Sequence, residues 1–154
     1  MKITRKVARP MMAAIFIQGG IDAVRNPESK KAKAETVAPA VADTIGLSQD
    51  TVDLVRINGG VMVGAGIMLA MGWLPRVAAA ALAGTLVPTT LAGHRFWEET
   101  DKQARTQQTI HFLKNMGLLG GLIIAATDTA GRPSLGWRAR RAAGRARKAL
   151  PVGN

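Results

Sequence analysis

The 154-residue chain contains no cysteine and no tyrosine, and only three phenylalanines, three tryptophans and two histidines. Without cysteine there can be no disulfide, thiolate metal site, iron–sulfur ligation or thiol redox chemistry supplied by this chain. Acidic residues are also scarce, ten against 21 basic ones, for a net charge of +11. Such a balance would suit a nucleic-acid binder, but the charge is confined. Lys2, Arg5, Lys6 and Arg9 stand at one end. Arg132, Arg138, Arg140, Arg141, Arg145, Arg147 and Lys148 stand at the other. These eleven residues have no acid among them, and the chain between them is neutral overall. No recognised nucleic-acid motif lies in either cluster, so nucleic acid is not an expected partner.

What the chain does have is four apolar runs. Segment one, about residues 7–24, includes PMMAAIFIQGGIDAV and has the shortest core. Segment two, residues 54–74, reads LVRINGGVMVGAGIMLAMGWL. Segment three, residues 77–93, is VAAAALAGTLVPTTLAG, which Pro88 should kink. Segment four, residues 110–130, is IHFLKNMGLLGGLIIAATDTA. Each approaches the length that crosses a bilayer, and the 17 glycines suit close membrane packing better than soluble helices. Gln18 and Asp22 interrupt the first run and no clean cleavage site follows it, so it is expected to remain as a span rather than a signal peptide.

The expected fold is therefore all-α, an integral membrane four-helix bundle over residues 1–137 with a basic tail over 138–154. In the first outer loop, Val37, Val41 and Ile45, with Ala38 and Ala42, fall at helical spacing in AETVAPAVADTIG, which suits either a short amphipathic helix on the outer face or a solvated loop, and the helix is expected. Small residues four apart, Gly60/Gly64, Ala80/Gly84 and Gly117/Gly121, are candidate close-packing positions, either within the bundle or on a homo-oligomer face.

Basic residues concentrate beside the two chain ends and the Pro75–Arg76 turn, whereas loops 25–53 and 94–109 balance their charges. By the positive-inside rule both ends face the cytoplasm, with the protein in the cytoplasmic membrane. That orientation puts Asp22, Arg56, Asn58, His94, His111, Lys114 and Asn115 near one outer level. His111, Lys114 and Asn115 share a face of segment four at i, i+3 and i+4.

Two readings of this level stay open. One is a polar pocket for the head of a quinone or lipid, with Asp22 paired to Arg56 or Lys114. The other is structural: lysine and arginine snorkelling to the interface, and an ion pair that sets helix register. Coordination of a haem by His94 and His111 is conceivable, but no third ligand stands at metal-site spacing. Asp128 has Arg132 one turn on as an i, i+4 partner. In the tail, Arg138, Arg141, Arg145 and Lys148 form one stripe suited to anionic lipid, beside Trp137 at the membrane edge.

The strings GGVMVGAGIMLAMGWLPRVAA, LAGHRFWEE and HFLKNMGLLGGLIIAATDTAGRPSL, in that order, resemble the DoxX family of small four-span bacterial membrane proteins. The resemblance runs from about Ala8 to Trp137, and the string from Phe112 to Gly121 with Gly131-Arg132-Pro133 is its most specific part. It implies a four-span fold and association with membrane complexes in respiratory, thiosulfate–quinone or oxidative-stress chemistry. It implies no single reaction. The expected function is a non-catalytic accessory or scaffold subunit with a protein partner or homo-oligomer. The alternative is a quinone- or lipid-binding subunit of a membrane oxidoreductase.

Overall fold

The computed structural model describes residues 2–46 and 50–129, together with residues 137, 140–142 and 145. Residues 2–46 and 50–129 form six helices: α1 (Lys2–Arg25), α2 (Glu28–Ala34), α3 (Ala38–Ile45), α4 (Thr51–Met71), α5 (Pro75–Gly93) and α6 (Lys102–Thr127). The four long ones, α1, α4, α5 and α6, are each long and apolar enough to span a membrane. Many of their large apolar side chains point outward, among them Met11, Ile15, Met71, Leu113 and Ile124. In water that surface would be a liability; in hydrocarbon it is the solvated face. This is an all-α membrane bundle.

The core is thin and built from small residues. Ala13, Phe16, Leu69, Ala79, Leu82 and Leu122 are fully buried or nearly so. The tightest seam joins α1 to α4. A Cβ placed on Gly20 would sit 2.6 Å from the Gly59 carbonyl oxygen, and one on Gly59 would sit 2.8 Å from the Gly20 carbonyl oxygen. Gly66 likewise admits the Ile17 side chain, 2.7 Å from where its Cβ would be. The close-packing glycines are thus Gly20, Gly59 and Gly66. Of the positions picked out by spacing alone, Gly60, Gly64, Gly84 and Gly117 face open space, whereas Gly121 meets the Met12 side chain, whose methyl lies 3.0 Å from where its Cβ would be. A four-residue spacing identifies a helix face, but not the direction in which that face is turned.

Helix ends follow local chemistry. Gly72, at φ 74°, closes α4, with its own amide bonded to the Leu69 carbonyl and the Trp73 amide bonded to that of Met68. Leu74 is also left-handed, at φ 43°, so the chain reverses in a tight turn before Pro75 opens α5. The last long helix starts eight residues before the predicted apolar run. Asp101 caps it by accepting from the Ala104 amide at 2.7 Å, and the polar turns through Gln108 precede the span. Pro88 lies inside α5, which continues through it to Gly93. The predicted outer-loop helix is α3, and α2 before it was not predicted. Its sequence, ESKKAKA, has no apolar stripe to detect.

The long helices follow chain order around the bundle, with α1 on α4, α4 on α5 and α5 on α6, while α1 and α6 scarcely meet. That last seam is held at one end. Arg5 donates to both carboxylate oxygens of Asp128 at 2.7 and 3.0 Å. Arg76 donates to the Ala126 carbonyl at 2.8 Å, and Arg9 lies beside Gly72, so all these basic residues share one end of the bundle. Asp128 is therefore paired 123 residues away with Arg5. Its expected local partner, Arg132, lies outside the described residues. So do Arg138 and Lys148 of the basic stripe; Arg141 is described, its guanidinium 4.9 Å from the Trp137 ring, and Arg145 is exposed.

The two glycine environments predict opposite outcomes. Gly59→Ala should destabilise the detergent-solubilised protein by about 1–3 kcal/mol through overpacking at the α1–α4 seam. Gly60→Ala, one residue away in open space, should leave the unfolding midpoint unchanged or slightly raised. Thermal unfolding followed by circular dichroism distinguishes the two.

Candidate functional site

The polar residues placed at one level by sequence separate into three groups. The first is at the α1–α2 junction. Asp22 pairs with Lys30 and accepts a hydrogen bond from Asn26 Nδ2 at 2.9 Å. Its partner is thus neither Arg56 nor Lys114. Arg56 instead faces Asp53 at 3.6 Å, one turn earlier on α4, and both are well exposed. These are short-range pairs, and exposed pairs of this kind contribute little. Lys30 was missed as a partner because it reaches back from a helix that periodicity did not reveal.

The second group ties three spans together. Asn58 Nδ2 of α4 donates to Thr89 Oγ1 at 3.2 Å, and Asn115 Nδ2 of α6 donates to Thr90 Oγ1 at 3.0 Å. The two threonines are neighbours on α5, and each hydroxyl also bonds back to the carbonyl one turn earlier, at 2.7 Å. A hydroxyl has one donor and two acceptor sites, so each threonine satisfies its own helix and accepts from a neighbouring one. Thr90 is 1% exposed. With no water to compete, such bonds fix which helix faces meet.

The third group surrounds a groove. Where α1 and α6 diverge there is a cavity of about 650 Å³, lined by Met12 and Ile15 of α1, by His94, and by His111, Lys114, Asn115, Gly117, Leu118 and Gly121 of α6. Four of the seven residues singled out from the sequence border it. His94 and His111 stack with ring centroids 5.1 Å apart and planes 17° from parallel. His94 Nδ1 is hydrogen-bonded to the Gln108 side-chain amide at 2.8 Å. Face-to-face rings do not aim two nitrogens at one iron, so this pair does not fit a haem held between opposed ligands. Among the described residues no cluster of three or more His, Asp or Glu could hold a metal ion.

An aromatic corner holds the cluster in place. Phe96 packs edge-on to Trp97 and to Phe112, at 5.1 and 5.3 Å, and Trp97 meets Phe112 at 6.1 Å. Phe112 follows His111, so this contact sets the rotation of α6 at the groove. Lys114 is exposed to the groove, and no described residue forms a hydrogen bond or ion pair with it. The lining contains no carboxylate.

The DoxX family model matches residues 5–95 of the 154. The chain belongs to the DoxX family. No curated protein and no solved structure matches it. In this DoxX protein the matched range takes in α1 through α5 and ends just past His94. The groove thus joins a matched wall, with Met12, Ile15 and His94, to a wall on α6 beyond the match. The string from Phe112 to Gly121, expected from the sequence to be the most specific part of the resemblance, lies on that second wall, outside the matched residues.

The threonine clips predict that Thr90→Val, which keeps shape but leaves the Asn115 donor unpaired, lowers stability by about 0.5–1.5 kcal/mol. Lys30→Gln, at the exposed junction, should shift the unfolding midpoint far less. An equal loss in both variants would show that the clip contributes nothing special.

Proposed function

We propose that this DoxX-family membrane protein is a non-catalytic accessory subunit that holds an amphiphile, a quinone or a lipid, in the groove between α1 and α6. One observation supports this reading above the rest. His94, His111, Lys114 and Asn115 converge on the polar end of a cavity whose remaining wall is Met12, Ile15, Leu118 and two glycines. Cavities of several hundred Å³ with mostly apolar walls and a few grouped polar atoms are typical ligand sites. Lys114 and His111 offer donors to a ligand's head, and the glycines leave room for a tail. The lack of cysteine, tyrosine and a convincing cofactor site favours a subunit with no chemistry of its own. Membership in a redox-linked or oxidative-stress-linked complex is supported by the family resemblance.

The assignment to the cytoplasmic membrane, with both chain ends inside, is supported by charge. Arg5, Lys6, Arg9 and Arg76 share the bundle end opposite the groove's polar head, which accords with the positive-inside rule. The groove would then open at the outer leaflet.

Purification from native membranes in mild detergent, with optical spectra and mass spectrometry of the lipid extract, tests the binding. One amphiphile per chain is expected, and Lys114→Ala should reduce its retention roughly tenfold, as expected for losing one charged donor. Recovery of no amphiphile together with a stoichiometric protein partner would reduce the protein to a scaffold. A C-terminal reporter active only outside the cell would refute the orientation.

A further inference from the structure

The groove reading leaves the head chemistry of the ligand open between a neutral ring and an anion. Resting on that reading, we infer that the occupant is an acidic phospholipid, its phosphate against Lys114 and one acyl chain running down the groove. Three observations carry this.

The first is charge. Lys114 has no counter-ion among the described residues, and none of the groove's lining residues is a carboxylate. His94 and His111 add no negative charge, and the acids of the Asp22–Lys30 and Asp53–Arg56 pairs on α1 and α4, and of the Arg95–Glu98 pair beside His94, already have cationic partners. A ligand that covers an ammonium strips it of water, which is unfavourable unless an opposite charge replaces that water. A neutral carbonyl head offers only a hydrogen bond. A phosphate supplies both the charge and several acceptor oxygens.

The second is depth. Helix α6 has 26 residues and so extends about 39 Å, more than the roughly 30 Å hydrocarbon layer. Its polar first turns, Lys102 to Gln108, stand beyond the apolar run that starts at Ile110. Lys114 sits one turn into that run, within reach of lipid phosphates for a side chain leaning back toward the helix N-terminus.

The third is shape. The groove opens sideways, between two helices that scarcely meet, so a lipid enters from the bilayer without passing through water. From His111 to Gly121 its α6 wall runs about 15 Å. It closes where the Met12 methyl packs 3.0 Å from the position of a Gly121 Cβ. A cavity of about 650 Å³ accommodates one chain, leaving the second chain of a diacyl lipid in the membrane.

The test uses the full-length protein in detergent with equimolar phosphatidylglycerol, phosphatidylethanolamine and diacylglycerol of matched chains. Retained lipid is counted by native mass spectrometry after a wash at high salt, which strips lipid adsorbed by exposed basic residues elsewhere on the chain. The expected result is one phosphatidylglycerol per chain, favoured about tenfold over diacylglycerol and less strongly over phosphatidylethanolamine. Lys114→Gln should abolish that preference. Gly117→Leu, which fills the groove from a position facing open space, should abolish retention of all three. Gly120→Leu adds the same bulk on α6 outside the groove lining and should retain lipid like the parent, which separates groove filling from misfolding. If Gly117→Leu empties the groove but retention never depended on the head, the acidic-lipid assignment falls and the amphiphile site stands. Preference that survives Lys114→Gln also overturns the assignment. Retention unchanged by Gly117→Leu overturns the groove itself.

Discussion

Close backbone contact between α1 and α4 is the constraint from which the rest of the bundle follows. Lipid leaves little hydrophobic gain for helix association, so spans are held by van der Waals contact and by polar bonds shielded from water. Gly20 and Gly59 present bare Cα atoms to each other's carbonyls, and Gly66 receives Ile17 in the same seam. This rotation of α1 buries Ala13 and Phe16 and turns Met11 and Ile15 outward. It also brings Met12 to Gly121 while leaving the upper part of α1 apart from α6. The groove exists because α1 is committed to α4.

Polar residues inside the apolar layer then divide by what they touch. Asn58 and Asn115 are spent on Thr89 and Thr90, and those bonds set the faces of α4, α5 and α6. Asp22 and Arg56 are spent on partners close in sequence. Arg5 and Asp128 close the bundle at the opposite end. His111 and Lys114 of α6 face the cavity, and no described residue forms a hydrogen bond or ion pair with Lys114. It lies at the mouth of the groove.

Much of this was legible from residue order. Four apolar runs, the outer-loop helix around Val37, Val41 and Ile45, and the grouping of His94 with His111, Lys114 and Asn115 all follow from periodicity and charge. The missed features share a cause. Gly20–Gly59 and Arg5–Asp128 join residues far apart in sequence, and no local pattern marks them. Gly60 and Gly64 have the spacing of a packing motif but look outward, because that spacing selects a stripe and the neighbouring helix selects its direction. Thr89 and Thr90 read as ordinary polar interruptions beside Pro88. Only the placement of α4 and α6 on either side of α5 makes them acceptors.

By itself the sequence determined that the chain is helical, that it lives in a membrane, and which end of the bundle collects positive charge. Hydrocarbon admits few other solutions for four apolar runs of this length, and those properties are sums over local composition. Tertiary structure alone decided which of seven polar candidates share a site. It paired Asp22 and Arg56 with exposed partners close in sequence, bonded Asn58 to Thr89 across the α4–α5 seam, and left His94, His111, Lys114 and Asn115 around a cavity. The physical reason is rotation: a turn of one helix about its axis leaves composition and depth unchanged, yet it decides which side chains meet a neighbour and which meet the groove.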